Sequence, residues 1–297
     1  MSRALPLTPE LSSRWAAAAQ IRFLDALMVD PGLTVNQIAF HGGTSLHFSW
    51  RSPRRSEDLD FLVAKNFGDI QSVVEKAGKK TEETFRADDP EFVVEIASKT
   101  KRGDRLISHE LKISHPDYLG KTLVKVEFWR VEPEYLLNYP VEMRSPIEEG
   151  DMVSRISNPV PAASLEAAYC DKLTAFATRP YLKWRDIYDL WWIGTQTDSK
   201  LGLSSVVPQF LHNVSAYTTV NNLSPAQALR KFLEGDPAEI VRKADPDLKR
   251  WLPELLWGRL HPQVTAEMVR YVRDALQSVA DAIENDEFGA SLKRIRP

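Results

Sequence analysis

The spacing of apolar residues changes along this chain, and the change limits the folds open to it. The run TLVKVEFW (122–129) sets Val124, Val126 and Phe128 on one face and Lys125 and Glu127 on the other. That period of two belongs to a strand with one buried face. Further β-like runs lie at 37–40, 59–64, 91–98 and 104–114. Helical spacing appears at 10–28, where Trp15, Ala18, Ala19, Phe23, Ala26 and Leu27 recur, and at 69–78, where Gly78 closes the pattern. TSLHFSW (44–50) begins another helix, with Thr44 or Ser45 as its cap. After Trp129 the strands fade. NPVPAAS (158–164) reads as a linker with two prolines, and the pattern beyond it is helical at 164–179, 184–196 and 265–287. The expected fold class is therefore α+β: a mixed sheet with flanking helices over 1–155, then a helical domain over 156–297.

Composition removes several functions. Of 297 residues, 43% are hydrophobic and 27% charged, which is the balance of a globular protein. Lys and Arg number 38 against 41 Asp and Glu, so any nucleic-acid surface must be local. Residues 99–125 are such a segment. Lys99, Lys101, Arg102, Arg105, Lys112, Lys121 and Lys125 face Asp104, Glu110 and Asp117, seven bases against three acids, a local charge of +4. This is either a phosphate-gripping patch or a solvated face. The single cysteine, Cys170, excludes an internal disulfide framework and a cysteine-built zinc site. His41, His47, His109 and His115 match no common zinc spacing and read as structural, and Trp191–Trp192 reads as packing. No signal peptide and no run of about 20 apolar residues is evident, so the expectation is a cytoplasmic protein without membrane contact.

The residues suited to chemistry begin at HGGTSLHFSWRSPRRSEDLDFLV (41–63). In a strand, Asp58 and Asp60 share a face, and two adjacent carboxylates are stable together when both are solvated or when a cation sits between them. Mg²⁺ is the natural cation, since it combines a few carboxylates with water and substrate phosphates. Gly42 and Gly43, before a helix N-terminus, open backbone N–H groups to a phosphate, and Thr44 and Ser45 add hydroxyls. Glu127 lies on the polar face of its strand, either as a third acid or as a partner of Lys125. Lys172 falls beside the apolar face marked by Leu165, Tyr169, Leu173 and Phe176; its ammonium either reaches water or reaches a triphosphate. Asp186 and Asp189 share one edge of the next helix, where Asp186 could cap the first turn. Arg54 and Arg55 either offset phosphate charge or balance the acids that follow.

A glycine pair, a spacer and Asp-x-Asp on a strand resemble the polymerase-β-type nucleotidyltransferase superfamily. The spacer from Gly43 to Asp58 is 14 residues. HGGTSL, RRSEDLDF, VKVEF, DKLTAFATR and RDIYDLWWI, in this order over about 35–200, resemble the AbiEii/AbiGii toxin family, which includes the MenT-type nucleotidyltransferases of mycobacteria. The resemblance implies a toxin of a toxin–antitoxin system. It would move a nucleotide from an NTP to the 3′ end of tRNA and be controlled by a cognate antitoxin. Ser56, Asp58 and Asp60 occupy the family's metal and nucleotide motif, with Glu127 as the third acid. Lys172 would contact phosphates, and Asp186 matches the aspartate of the last motif. Mg²⁺ is the implied ion, with Mn²⁺ as its substitute. A phosphate added to Thr44, Ser45 or Ser56 would repel a triphosphate. Transfer to a small molecule or protein, and NTP binding without chemistry, remain alternatives.

Overall fold

The computed structural model describes residues 4–99, 105–147, 158–197 and 201–285. The chain forms two compact units: Met1–Arg51 with Ser56–Ala163, and Ser52–Arg55 with Ser164–Pro297.

The first unit runs β1 (Leu5–Pro6), α1 (Pro9–Leu27), β2 (Ile38–His41), α2 (Gly42–Trp50), β3 (Leu59–Ala64), α3 (Ile70–Asp88), β4 (Val93–Ser98), β5 (Leu106–Ser114), β6 (Tyr118–Leu119), β7 (Thr122–Val131), α4 (Pro133–Leu137), β8 (Val141–Arg144) and β9 (Val160–Ala163). Seven strands make one mixed sheet in the order β4-β5-β7-β3-β2-β9-β8. The pairs β3–β7 and β2–β9 are parallel, and β2–β3, β4–β5, β5–β7 and β8–β9 are antiparallel. One face is apolar. Phe40, Phe61 and Phe128 form a row across β2, β3 and β7, with ring centroids 5.2 and 4.9 Å apart. Helix α1 starts where the Thr8 hydroxyl accepts the Leu11 N–H at 3.2 Å, and it packs on α3 and β7. The alternation read in 122–129 is present: Val124, Val126 and Phe128 are fully buried.

Three expectations need correction. First, α3 does not stop at Gly78 but continues to Asp88. A Cβ at Gly78 would lie 3.0 Å from Ile96 Cγ2, so the glycine permits close helix–strand contact and is no terminator. Second, residues 160–163 are not a linker but the buried strand β9, with Phe40 opposite Ala162 and Met143 opposite Pro161. A strand buried on both faces shows no alternation, and its prolines mimic a turn signal. The first unit therefore ends at Ala163; residue 155, the expected boundary, lies outside the described residues. Third, α2 starts at Gly42, so Thr44 and Ser45 lie inside it and do not cap it.

The second unit holds α5 (Leu165–Thr178), α6 (Trp184–Gln196), α7 (Leu203–Ser215), α8 (Pro225–Leu233), α9 (Pro237–Arg242), α10 (Ala244–Leu248), α11 (Glu254–Leu260) and α12 (Gln263–Glu284). The long α12 packs against α6, α7, α8 and α9. Its last two expected residues, 286 and 287, lie outside the described residues. Among the described residues no helix is long and apolar enough to cross a membrane.

The phenylalanine row gives a direct test. Phe61→Ala removes a ring buried between two others, and it is expected to cost about 3–5 kcal/mol in urea unfolding. A loss below about 1 kcal/mol would show that the row does not hold the sheet.

Candidate active site

Strand register builds the acidic face of the first unit. Asp60 is the register partner of His41 on β2 and of Glu127 on β7. Register partners share a face, so His41, Asp60 and Glu127 form a line across three strands, opposite the phenylalanine row. Asp58 sits two residues before Asp60, one residue ahead of β3. All three acids are half-buried. The loop carrying Asp58 is fixed from below: buried Gln20 donates to the Ser56 and Glu57 carbonyls at 3.2 and 2.8 Å.

A cation already answers these acids. Lys125 Nζ lies 2.7 Å from Glu127 Oε1. Burial acts to lower the pKa of this ammonium, but the hydrogen bond and charge of Glu127, with the fields of Asp58 and Asp60, raise it overall. Glu127 thus pairs with Lys125, and it stands beside Asp60 on an interior strand, not an edge strand. Asp60 and Glu127 offer hard oxygen donors of the kind a divalent cation takes, but with Asp58 they do not bring three ligand atoms within 4.8 Å of one another, and the ammonium attracted there shows the sign of the local field. The sequence offered this pairing as one of its two readings, from the place of Lys125 two residues before Glu127 on the polar face.

The glycine turn is built to admit Asp60. Gly42 has φ +80°, and a Cβ there would lie 2.7 Å from Asp60 Oδ2. His41 precedes α2 without a side-chain cap. The first-turn N–H groups have no intrahelical partners, and their positive dipole end favours anions. Thr44 and Ser45 do a different job from the one expected. The Thr44 hydroxyl donates to the Asp58 carbonyl, and the Ser45 hydroxyl to the Phe40 carbonyl at 3.0 Å. At 0% and 2% exposure they tie the turn to the acid loop and are shut off from modifying enzymes, whereas Ser56 is half-buried.

The second unit carries a buried ion network. Arg54 donates to Asp189 through Nε at 2.6 Å and Nη2 at 2.8 Å, and through Nη1 to the Arg55 carbonyl at 2.9 Å. Lys172 Nζ lies 3.1 Å from Asp186 Oδ1 and 2.7 Å from Asp189 Oδ2. Arg179 donates to Asp186 Oδ2. The Lys172 ammonium is thus paired with two carboxylates, and its side chain is 11% exposed. Asp186 does not cap α6; its carboxylate is committed to Lys172 and Arg179. Arg54 is 1% exposed and balances Asp189, not the acids at 57–60, while Arg55 is exposed. Burial pushes both carboxyls up in pKa. The charges of Lys172 and Arg179 on Asp186, and of Arg54 and Lys172 on Asp189, outweigh it, so both lie below the ordinary value. Asp189 is the central member that sequence reasoning passed over, although it shares an edge with Asp186.

Of the basic segment at 99–125, Lys101, Arg102 and Asp104 lie outside the described residues. Lys99 is 3.7 Å from Glu110, and Arg105 stacks over Trp129 at 5.8 Å. Elsewhere Asp89, Glu91 and His115 bring three ligand atoms within 4.8 Å of one another, the donor set of a metal site. His115 Nδ1, however, accepts the Asp117 N–H at 3.2 Å, which puts the ring proton on Nε2, 3.2 Å from Asp89. In that tautomer neither nitrogen offers a lone pair to an ion.

The sequence over residues 22–256 matches the family described as nucleotidyl transferase AbiEii toxin, type IV TA system. The chain belongs to the AbiEii family. Solved structures agree with this AbiEii fold. MenT4, a nucleotidyltransferase toxin from Mycobacterium tuberculosis H37Rv, is 20% identical with TM-score 0.56, covering 97% of this chain and 94% of its own. A nucleotidyltransferase structure from H. pylori is 17% identical with TM-score 0.54, covering 93% and 99%. JHP933 from Helicobacter pylori is 16% identical with TM-score 0.53, covering 97% and 99%. Among curated proteins no sequence match is found. The chain is thus a nucleotidyltransferase toxin of a type IV toxin–antitoxin system, with an NTP as substrate and an antitoxin as counterpart.

Two tests follow from this AbiEii site. Gly42→Ala would press a Cβ onto the Asp60 carboxylate, and it is expected to lower nucleotidyl transfer about 100-fold while the chain stays folded by circular dichroism. Transfer at the wild-type rate would show that the turn does not aim Asp60. Because the folded pKa values of Asp186 and Asp189 lie below 3.8, their stabilisation is present above that value and disappears as pH falls through the folded pKa values. Asp189→Asn is expected to cost about 3–5 kcal/mol at pH 7 by stranding Arg54. It should also lose less stability than wild type between pH 5 and pH 3, measured by urea unfolding, because one titrating carboxylate is gone.

Proposed function

We propose that this AbiEii toxin transfers a nucleotide from an NTP to the 3′ end of tRNA, with Mg²⁺ held by Asp58, Asp60 and Glu127 and Mn²⁺ as its substitute. The observation that carries this reading is the register of Asp60 beside Glu127, with Asp58 two residues away and the uncapped start of α2 against Asp60. The ion would neutralise triphosphate oxygens as negative charge builds on the leaving pyrophosphate. The chain's own groups do the remaining work. N–H groups at Gly42 and Gly43 donate to phosphate oxygens. Thr44 and Ser45 hold that turn through the Asp58 and Phe40 carbonyls. The Ser56 hydroxyl and the exposed Arg55 are phosphate donors. Asp58 takes the proton as the acceptor hydroxyl attacks the α-phosphorus and the bond to pyrophosphate breaks. Lys172 donates to phosphate, with Asp186 holding its ammonium at 3.1 Å. Arg54 acts as a positioning residue through Asp189.

A tRNA acceptor is supported by the family pattern in the motifs and by the basic segment at 99–125, whose exposed Lys121 and Lys125 suit a phosphate backbone. The test is transfer of label from each α-³²P-NTP into mixed tRNA. Label is expected in RNA from one or two NTPs, and Asp58→Asn is expected to reduce it at least about 100-fold. Unlabelled RNA with all four NTPs would overturn the tRNA reading, and label in a protein band or small molecule would move the acceptor.

A further inference from the structure

The rung beside the acid row of the sheet carries no acid. Two residues along from Asp60 and Glu127, the same face presents Leu106, Trp129, Leu62 and Ala39, register partners across β5, β7, β3 and β2. Trp129 stands two residues beyond Glu127, roughly 7 Å along the strand. Its neighbour Leu62 is 1% exposed, in the strand that α4 packs against. Trp129 is only half-buried, so part of the indole stays open beside the carboxylates. Arg105, exposed on the bend before β5, holds its guanidinium over that ring, 5.8 Å from the centroid and within reach of cation–π attraction.

Packing alone explains this poorly. An interior strand position that needs only filling is closed over, as Leu62 is. A large ring left half-open beneath an exposed guanidinium is a stacking surface. Its side of the acid row says what it meets. The phosphate-facing turn at Gly42 and Gly43 follows β2, on one side of Asp60, and β7 lies on the other. Trp129 therefore stands across the acids from the triphosphate turn, where the acceptor must approach. We propose that Trp129 stacks the terminal base of a single-stranded RNA 3′ end, with Arg105 as the second plane of the stack. Single-stranded RNA bases are held on aromatic rings and guanidinium planes in this way. A ring accepts any base, so the contact would orient the terminal ribose toward the acids without reading sequence. This rests on the reading of the acceptor as an RNA 3′ end, and it adds the residues that seat it.

The probe is a short single-stranded RNA carrying fluorescein at its 5′ end, bound to the full chain and followed by anisotropy. Wild type is expected to bind it, Trp129→Leu at least about tenfold more weakly, and Trp129→Phe within about threefold of wild type. Arg105→Gln is expected to bind about threefold more weakly, and unchanged binding would strike Arg105 from the stack. The same RNA made abasic at its last position should lose about tenfold on wild type and nothing further on Trp129→Leu, because base and ring make one contact. The KM for RNA should rise in Trp129→Leu while the KM for NTP stays within about twofold. Equal binding of the intact and abasic RNAs by wild type overturns the proposal, as does a wild-type chain that binds no RNA. A KM rise confined to NTP also overturns it, since the ring would then hold the nucleotide's own base. If Trp129→Leu melts far below wild type, the abasic RNA on wild type decides alone. RNA that binds with this dependence yet takes no label would remove the transfer reading and leave the stack standing.

Discussion

The parallel register of β3 on β7 governs the first unit's chemistry. It sets Phe61 against Phe128 on one face and Asp60 beside Glu127 on the other. A slip of one residue would turn the acids into the apolar layer and the rings into water, so stacking and carboxylate placement stand or fall together. Adjacent carboxylates repel, and the rings on the opposite face supply the burial that holds them in line. Lys125 offsets part of that repulsion from the same face. The site is thus a strained polar surface carried by a well-packed apolar one.

In the second unit the charges are placed by a different principle. Here ions are removed from water and each is answered by others, so the network is rigid where the acidic face is open. Asp189 sits at its centre with three N–H donors from two side chains. Removing one partner of such a set leaves a desolvated charge behind, which is why ion networks of this kind resist substitution far more than surface pairs do.

Much of this was legible in the residues, and the gaps have physical causes. The strand at 59–64 and the helix at 184–196 fall where the sequence placed them, the first as a short apolar run and the second by helical spacing of its apolar residues. Strand β9 was unreadable as a strand because burial on both faces erases alternation and its prolines mimic a turn. Helix α3 was cut short because Gly78 looks like a stop until Ile96 is seen against it. For the site, spacing alone marked Asp58, Asp60, Glu127, Lys172 and Asp186 as candidates. It could not show that Arg54 crosses 135 residues of sequence to reach Asp189, since an ion pair leaves no periodic trace. It also placed Thr44 and Ser45 as open donors, where the fold spends both hydroxyls on its own backbone.

The four residues Ser52–Arg55 belong to the helical unit, while the chain on either side of them belongs to the sheet unit. The helical unit is therefore discontinuous, and no single cut releases it whole. A fragment starting at Ser164 would carry Asp189 without the guanidinium that clasps it, and a fragment ending at Ala163 would carry Arg54 without its carboxylate. The Arg54–Asp189 pair thus leaves either fragment with one half of a buried ion pair.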